Sequence, residues 1–346
     1  MQEQRQTDRP PADGDERDSA KDNAALEQVT LIFTWVVYAV LCQLIAVFGV
    51  CTNIINIVCF VKQGFKDPVN ASLLGLAISD IGCLATLLWT NLCHTPALTS
   101  SDLPFDPVEV DYLTGAWPHI TFARITAWLT AVITVERCLS ILAPLKVKGI
   151  VTTKRVSILM VCVFIILTSS VAPIYAVNKL AMKYSPLKNK TLLGLVYNSD
   201  RDAVEKVSYM INNLFVPFTA FLIIVISTVL LAYKLHVKAK WRKTTTVSAQ
   251  GGNVSSRNQR VARMVVMISS MFIVCFMFFI FIFMAMLVEP ELSLSGKYVN
   301  ILTMMAGIGI LLESVNSSAN IFIYYYMSTN YRTVFKKLFL DKAIAV

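Results

Sequence analysis

Seven stretches of this chain are apolar over twenty residues or more, and few folds tolerate that. They fall at about 31–61, 70–93, 113–142, 156–178, 209–233, 262–288 and 298–326. A helix of about 20 residues crosses the hydrocarbon core of a bilayer. Inside lipid a segment must satisfy its own backbone, which leaves helices or closed barrels. The third stretch is the least apolar and is placed partly by its neighbours. Of the 346 residues, 55% are hydrophobic and only 15% charged, too few to clothe a soluble domain. The expected fold is an all-α membrane protein, a seven-transmembrane helix bundle over 29–328. A disordered extracellular tail is expected at 1–28, and a short amphipathic helix with a cytoplasmic tail at 329–346. The first stretch does not read as a removable leader: it is too long, has no small-residue cleavage site and follows an acidic segment.

Charge sets the expected orientation. The connection 234–263 carries Lys234, Lys238, Lys240, Arg242, Lys243, Arg257, Arg260 and Arg263 without an acid, and 143–155 carries Lys146, Lys148, Lys154 and Arg155. Basic loops stay in the cytoplasm. Asp102, Asp106, Glu109 and Asp111 mark the opposite side, as do the acids of the N-terminal tail. The chain is thus expected to be multi-pass in the plasma membrane, N-terminus outside and C-terminus inside. The net charge of +9 is read as topology and not as a nucleic-acid footprint. The eight cysteines sit almost wholly within spans or at their inner edge, with Cys93 near the outer surface, so they do not form a disulfide framework.

The segment 179–208 holds the sequon Asn189-Lys190-Thr191 on the expected outer side, which makes Asn189 the glycosylation candidate. Sequons at Asn70 and Asn253 fall on the inner side, and one at Asn316 lies within a span. Residues 244–256 are rich in Ser, Thr and Gly and read as a flexible linker. After the seventh stretch, Tyr331, Phe335, Leu338 and Phe339 share one helical face, as in a helix lying on the inner leaflet. No internal repeat of the kind transporters use is visible.

Ionisable groups at membrane depth are costly and need a partner or a task. Asp80 lies mid-way along the second stretch, Asn53 in the first, and Asn316, Ser317 and Asn320 in the seventh. Two readings stand. One is a hydrogen-bonded structural cluster; the other is a site for a hard cation such as sodium, with Asp80 as the charge and Thr126, Asn316 and Ser317 supplying oxygens. At the foot of the third stretch, Glu136 and Arg137 place an acid and a base where a membrane helix meets the cytoplasm.

These residues resemble the rhodopsin-like (class A) G-protein-coupled receptors over nearly all of 30–340. Gly49-x-x-x-Asn53, Leu76-Ala77-x-x-Asp80, Glu136-Arg137-Cys138, Pro217, Phe272 with Cys275-Phe276, and Asn320-Ile321-Phe322-Ile323-Tyr324 resemble that family's motifs in order. The stretches Ile78-Ser79-Asp80, Leu113 to His119 and Val135 to Leu139 also resemble the gastropod chemosensory branch. The resemblance implies a receptor that passes an extracellular chemical signal, small molecule or peptide, to a heterotrimeric G protein. It implies Glu136, Arg137, Asn320 and Tyr324 as the coupling switch, no cofactor beyond an allosteric sodium ion, and no enzyme activity.

Departures from the family pattern carry their own expectations. Tyr112 stands where a bridging cysteine is usual, and 174–211 contain none, so a looser outer cover is expected. Val163 replaces the helix-four tryptophan, Val225 a helix-five tyrosine, and Phe278 and Ile321 the prolines of helices six and seven. No acid stands at the start of the sixth stretch, so a second ionic lock is not expected. His119 lies about five turns from Arg137 on the same helical face, in the half where such receptors meet ligands. Its candidate ligand-site companions are Arg124, Glu313 and Phe276. Arg124 and Glu313 are expected to pair, either as structure or as a receiver of a charged ligand. A transporter using Asp80, Arg124 and Glu313 as a charge path is the rival reading. Against it stand the odd span count, the missing repeat and the lack of broken helices. An opsin fails for want of a lysine within the seventh stretch; Lys297 precedes it.

Overall fold

The computed structural model describes residues 13–65, 67–143, 149, 151–186, 188–244, 252–293 and 296–340. Seven of its helices are long and apolar enough to cross a membrane: Ala24–Gln63, Pro68–Cys93, Pro107–Leu142, Thr153–Val177, Arg201–Lys240, Gln259–Val288 and Val299–Met327. These are spans one to seven below. The chain is a seven-helix membrane bundle, as its apolar pattern requires.

Local chemistry sets the span ends. Asp67 accepts from the Val69 N–H at 3.2 Å and precedes Pro68 at the start of span two. Asp106 does the same for span three, accepting from Val108 and Glu109 (3.1 and 3.2 Å) ahead of Pro107. A first-turn proline suits both places, because its missing N–H would have no helical partner there. Span one stops at Gly64, whose φ of 74° is strained for any residue with a side chain.

Two irregularities in the spans have visible causes. After an α-helical start, Arg201–Tyr209, span five carries a π-helical segment, Met210–Phe215, in which the Val216 N–H reaches back to Ile211. The next donor in that register would be Pro217, which has no N–H. The Asn212 carbonyl is thereby freed, and Arg124 Nε of span three donates to it at 2.9 Å. Span seven breaks at Ala319, between Val299–Ser318 and Asn320–Met327. No proline causes it. Span one takes over its carbonyls instead: Asn53 Nδ2 donates to Ser317 O at 2.8 Å and Thr52 Oγ1 to Ser318 O at 3.3 Å. Gly49 permits the approach, since a methyl group there would lie 2.1 Å from Ser318 Oγ. Span seven is thus a broken helix, contrary to expectation.

Three further features depart from the sequence reading. The first helix begins at Asp13, so the expected disordered tail is helical from there on; residues 1–12 lie outside the described residues. Span six belongs to a helix that starts at Gly252, inside the expected linker, whose residues 245–251 lie outside the described residues. Between spans four and five the chain forms an antiparallel hairpin, β1 (Asn178–Ser185) and β2 (Lys190–Tyr197), with Asn178 opposite Tyr197 and Ser185 opposite Lys190. Asn189 is exposed in its turn at φ 47°.

The chain after span seven forms a helix, Thr329–Phe335, that continues as Lys336–Leu340. Ser328 Oγ caps it through the Tyr331 N–H at 3.2 Å. Tyr331 is fully buried, its ring 5.6 Å from those of both Phe60 and Tyr324, and its hydroxyl donates to Asn56 Oδ1 at 2.6 Å. Burial raises that hydroxyl above its ordinary pKa, so it stays a donor. The apolar face foreseen for this helix therefore packs partly on the bundle.

Candidate functional site

Near the foot of span three, Glu136 and Arg137 form an ion pair, 5% and 8% exposed. Ser72 of span two donates to Glu136 Oε2 at 3.1 Å. Among the described residues Arg137 Nε is buried without a partner. Spans three and six carry no ionic lock among the described residues, yet they are fastened: Thr134 Oγ1 and Ser269 Oγ meet at 2.7 Å, both fully buried. Sequence reading missed this pair because threonine and serine at membrane depth ordinarily bond their own helix.

Half-way up the bundle Asp80 is fully buried. Its Oδ1 accepts from Thr126 at 3.2 Å and its Oδ2 from Asn320 Nδ2 at 2.9 Å, and the Ser317 hydroxyl is its third polar neighbour. Asn316 is buried on the same helix but is not among the carboxylate's hydrogen-bond partners within the described residues. Asn320 Oδ1 and the Tyr324 hydroxyl are buried and unpartnered among the described residues. A second strand of polar groups runs from Tyr331 through Asn56 to Asn53, whose amide holds the broken turn of span seven. Two expected switch residues, Asn320 and Tyr324, and the Asp80 cluster therefore belong to one seam. Its donor set suits a hard cation: the Asp80 carboxylate, two hydroxyls and an unused amide oxygen are all oxygen ligands.

At the hairpin end, a cavity of about 480 Å³ opens between spans one, two, three and seven, lined by Trp35, Tyr38, Leu87, Asn91, His119 and Ile310 among others. Its walls are mostly apolar. His119 and the buried, unpartnered Asn91 Nδ2 are polar groups on it. Of the four residues expected to bind ligand, His119 alone lines this cavity. Glu313 stands behind it, its carboxylate 3.7 Å from His119 Nε2. Arg124 does not pair with Glu313. It is held by span five, through Asn212 O and, at 3.3 Å, Asn213 Oδ1, because the proline-freed carbonyl is a fixed acceptor within its reach. Phe276 lies in an aromatic stack with Phe272, Phe221 and Phe279, with centroids 5.5 to 6.1 Å apart, and lines a separate cavity of about 320 Å³ between spans five and six.

The cover over this end is tied without a disulfide. Glu109 accepts from Lys183 Nζ and from the Leu195 N–H, each at 2.7 Å, one bond per strand. Backbone bonds join Asp106 N to Leu193 O and Leu193 N to Pro104 O, both 2.9 Å. Lys190 pairs with Asp102 and holds its carboxyl below the usual range. Tyr112, in place of the expected cysteine, donates to Glu205 at 2.6 Å, which also accepts from Asn178 and Arg201. The looser cover expected from the missing cysteines gives way to a polar clamp.

A family model for serpentine-type 7TM G-protein-coupled chemoreceptors of the Srw group matches residues 40–342. The chain belongs to that family. The receptor is also 22% identical over 312 residues to the Allatostatin-A receptor of Bombyx mori, covering 85% of this chain and 77% of that one. It is therefore a multi-pass, rhodopsin-like G-protein-coupled receptor, and its seven-span architecture disfavours the transporter reading despite the broken seventh helix. Its family is one of receptors and not of enzymes.

Proposed function

We propose that the receptor lies in the plasma membrane with its N-terminus and hairpin outside, binds an extracellular small molecule in the 480 Å³ cavity, and drives nucleotide exchange on a heterotrimeric G protein. The observation that carries the reading is the buried Glu136–Arg137 pair with Arg137 Nε left unpartnered among the described residues. An unsatisfied buried donor costs about 1–3 kcal/mol. A state in which Arg137 turns toward a docked G-protein segment recovers that cost. Ligand shifts the balance toward this state by no more than its differential affinity for the two.

The chemistry at Asp80 fits a sodium ion held by Asp80, Thr126, Ser317 and Asn320 Oδ1; the ion would supply the positive charge that the buried carboxylate lacks. Asn189, exposed in the hairpin turn, is the glycan acceptor in this orientation. A second reading makes the agonist a peptide. The Bombyx mori relative is by name a receptor for allatostatin-A, and the acidic 102–111 loop favours a cationic ligand.

The deciding experiment screens extracts and candidate ligands against receptor-bearing membranes with G protein added. Ligand-dependent guanine-nucleotide exchange without substrate flux supports the reading; flux without exchange overturns it.

A further inference from the structure

Cys83, His119 and Glu313 come from spans two, three and seven and converge behind the cavity wall. One ligating atom from each lies within 4.8 Å of the other two. We propose that these three side chains bind a zinc-class divalent cation, which bridges the three spans.

The hydrogen bonds around His119 fix which nitrogen is free. Nδ1 lies 3.1 Å from the Cys83 carbonyl oxygen. A carbonyl only accepts, so Nδ1 carries a proton, and the metal takes the place of any proton on Nε2. This backbone partner orients and tunes a metal-binding imidazole in the usual way. Nε2 faces Glu313 Oε2 at 3.7 Å, too far for a hydrogen bond. Zinc bonds of about 2.0 Å to nitrogen and oxygen and about 2.3 Å to sulfur imply tetrahedral ligand separations of roughly 3.3–3.7 Å. Nε2 and Glu313 Oε2 already stand at such a separation, whereas Cys83 Sγ lies 3.7 Å from the other ring nitrogen, Nδ1, so the sulfur must swing toward Nε2 to complete the set.

Donor type selects the ion. A thiolate, an imidazole and a carboxylate suit zinc or cobalt and disfavour calcium and magnesium, which prefer all-oxygen shells. Charge balances too: thiolate and carboxylate together neutralise a divalent cation inside a low-dielectric bundle. Binding releases to solvent the Cys83 thiol proton together with any proton on His119 Nε2. Because His119 also lines the cavity, a water molecule or a donor atom of a cavity ligand would complete the shell. The bridge does not depend on the exchange activity proposed above.

The test uses full-length receptor in nanodiscs, titrated with Co²⁺ as a spectroscopic probe and then with Zn²⁺. One Co²⁺ per receptor, with a thiolate-to-cobalt charge-transfer band and tetrahedral ligand-field bands that Zn²⁺ removes, is expected. Cys83→Ser abolishes the charge-transfer band, while Cys42→Ser and Cys275→Ser leave it. His119→Gln and Glu313→Gln each weaken binding about tenfold or more and abolish a Zn²⁺-induced rise in melting temperature, so the proposal stays testable if Cys83→Ser fails to fold. Absence of the band in the parent receptor, its survival in Cys83→Ser, or unchanged affinity in both glutamine variants overturns the site. None of these outcomes bears on G-protein coupling, which the exchange assay reads separately.

Discussion

The hydroxyls of Thr134 and Ser269 meet at 2.7 Å in the fully buried seam between spans three and six. Each also contacts a carbonyl of its own helix, Thr130 O at 2.7 Å and Ser269's partner Val265 O at 2.8 Å. Two protons serve three contacts, so one hydroxyl crosses between helices while the other bonds back. Thr134→Val removes the crossing bond at nearly constant volume. A net hydrogen bond of about 1 kcal/mol corresponds to roughly a fivefold change in the ratio of closed to open states. Ligand-free nucleotide exchange should rise by about that factor; unchanged basal exchange in Thr134→Val and Ser269→Ala would remove this pair from the switch.

Arg137 makes its own prediction. Arg137→Ala leaves Glu136 buried with Ser72 as its remaining hydrogen-bond partner among the described residues. Agonist-driven exchange should be lost while cell-surface antibody labelling persists. Full coupling in that variant would defeat the role assigned to Arg137.

Arg124 tests the corrected pairing. Because it serves the Asn212 carbonyl, the double charge swap Arg124→Glu with Glu313→Arg should not rescue folding. Arg124→Met alone leaves that carbonyl without its donor and should cost about 1–3 kcal/mol, read as a lower melting temperature of the purified receptor. Recovery of surface expression in the double swap would restore the ion-pair reading.

Asn53→Leu removes the amide that holds Ser317 O and Gly49 O, at 2.8 and 2.9 Å. The broken turn of span seven then exposes an unsatisfied carbonyl inside the bundle. A loss of about 1–3 kcal/mol is expected, seen as reduced thermal stability, with Asn56→Leu weaker because it loosens the links to Tyr331 and to Asn53 Oδ1 but leaves Ser317 O its donor. Equal stability of Asn53→Leu and the parent would mean that the break has another cause.

Glu109→Ala cuts both bonds that join the start of span three to the hairpin. Hydrogen exchange at the Leu195 amide, which donates directly to that carboxylate, should accelerate about tenfold, since a hydrogen bond to a charged group contributes about 1.5–3 kcal/mol and this one is partly exposed. Exchange confined to its parent rate would show that the backbone bonds at Leu193 suffice.

Asp80, Glu136, Arg137 and Asn320 were legible in the chain because ionic and amide groups stand out against a long apolar background, and their helical positions follow from spacing alone. Glu109, Glu205 and the Thr134–Ser269 pair were not. An acid in a polar loop has no periodic signal, and a hydroxyl in a span has a local alternative partner, so only knowledge of the facing element picks them out. Arg124 shows the same limit from the other side: its depth was readable, its partner was not.

Sequence by itself determined the number of membrane crossings, because backbone desolvation in lipid forces any apolar run of that length to be a helix. It also determined which helix carries each buried charge. Tertiary structure alone decided that span seven breaks at Ala319, that Arg124 serves span five, and that His119, Cys83 and Glu313 meet. Each of these rests on a hydrogen-bond acceptor or a ligand atom supplied by a helix distant in sequence, and distance along the chain carries no record of that approach.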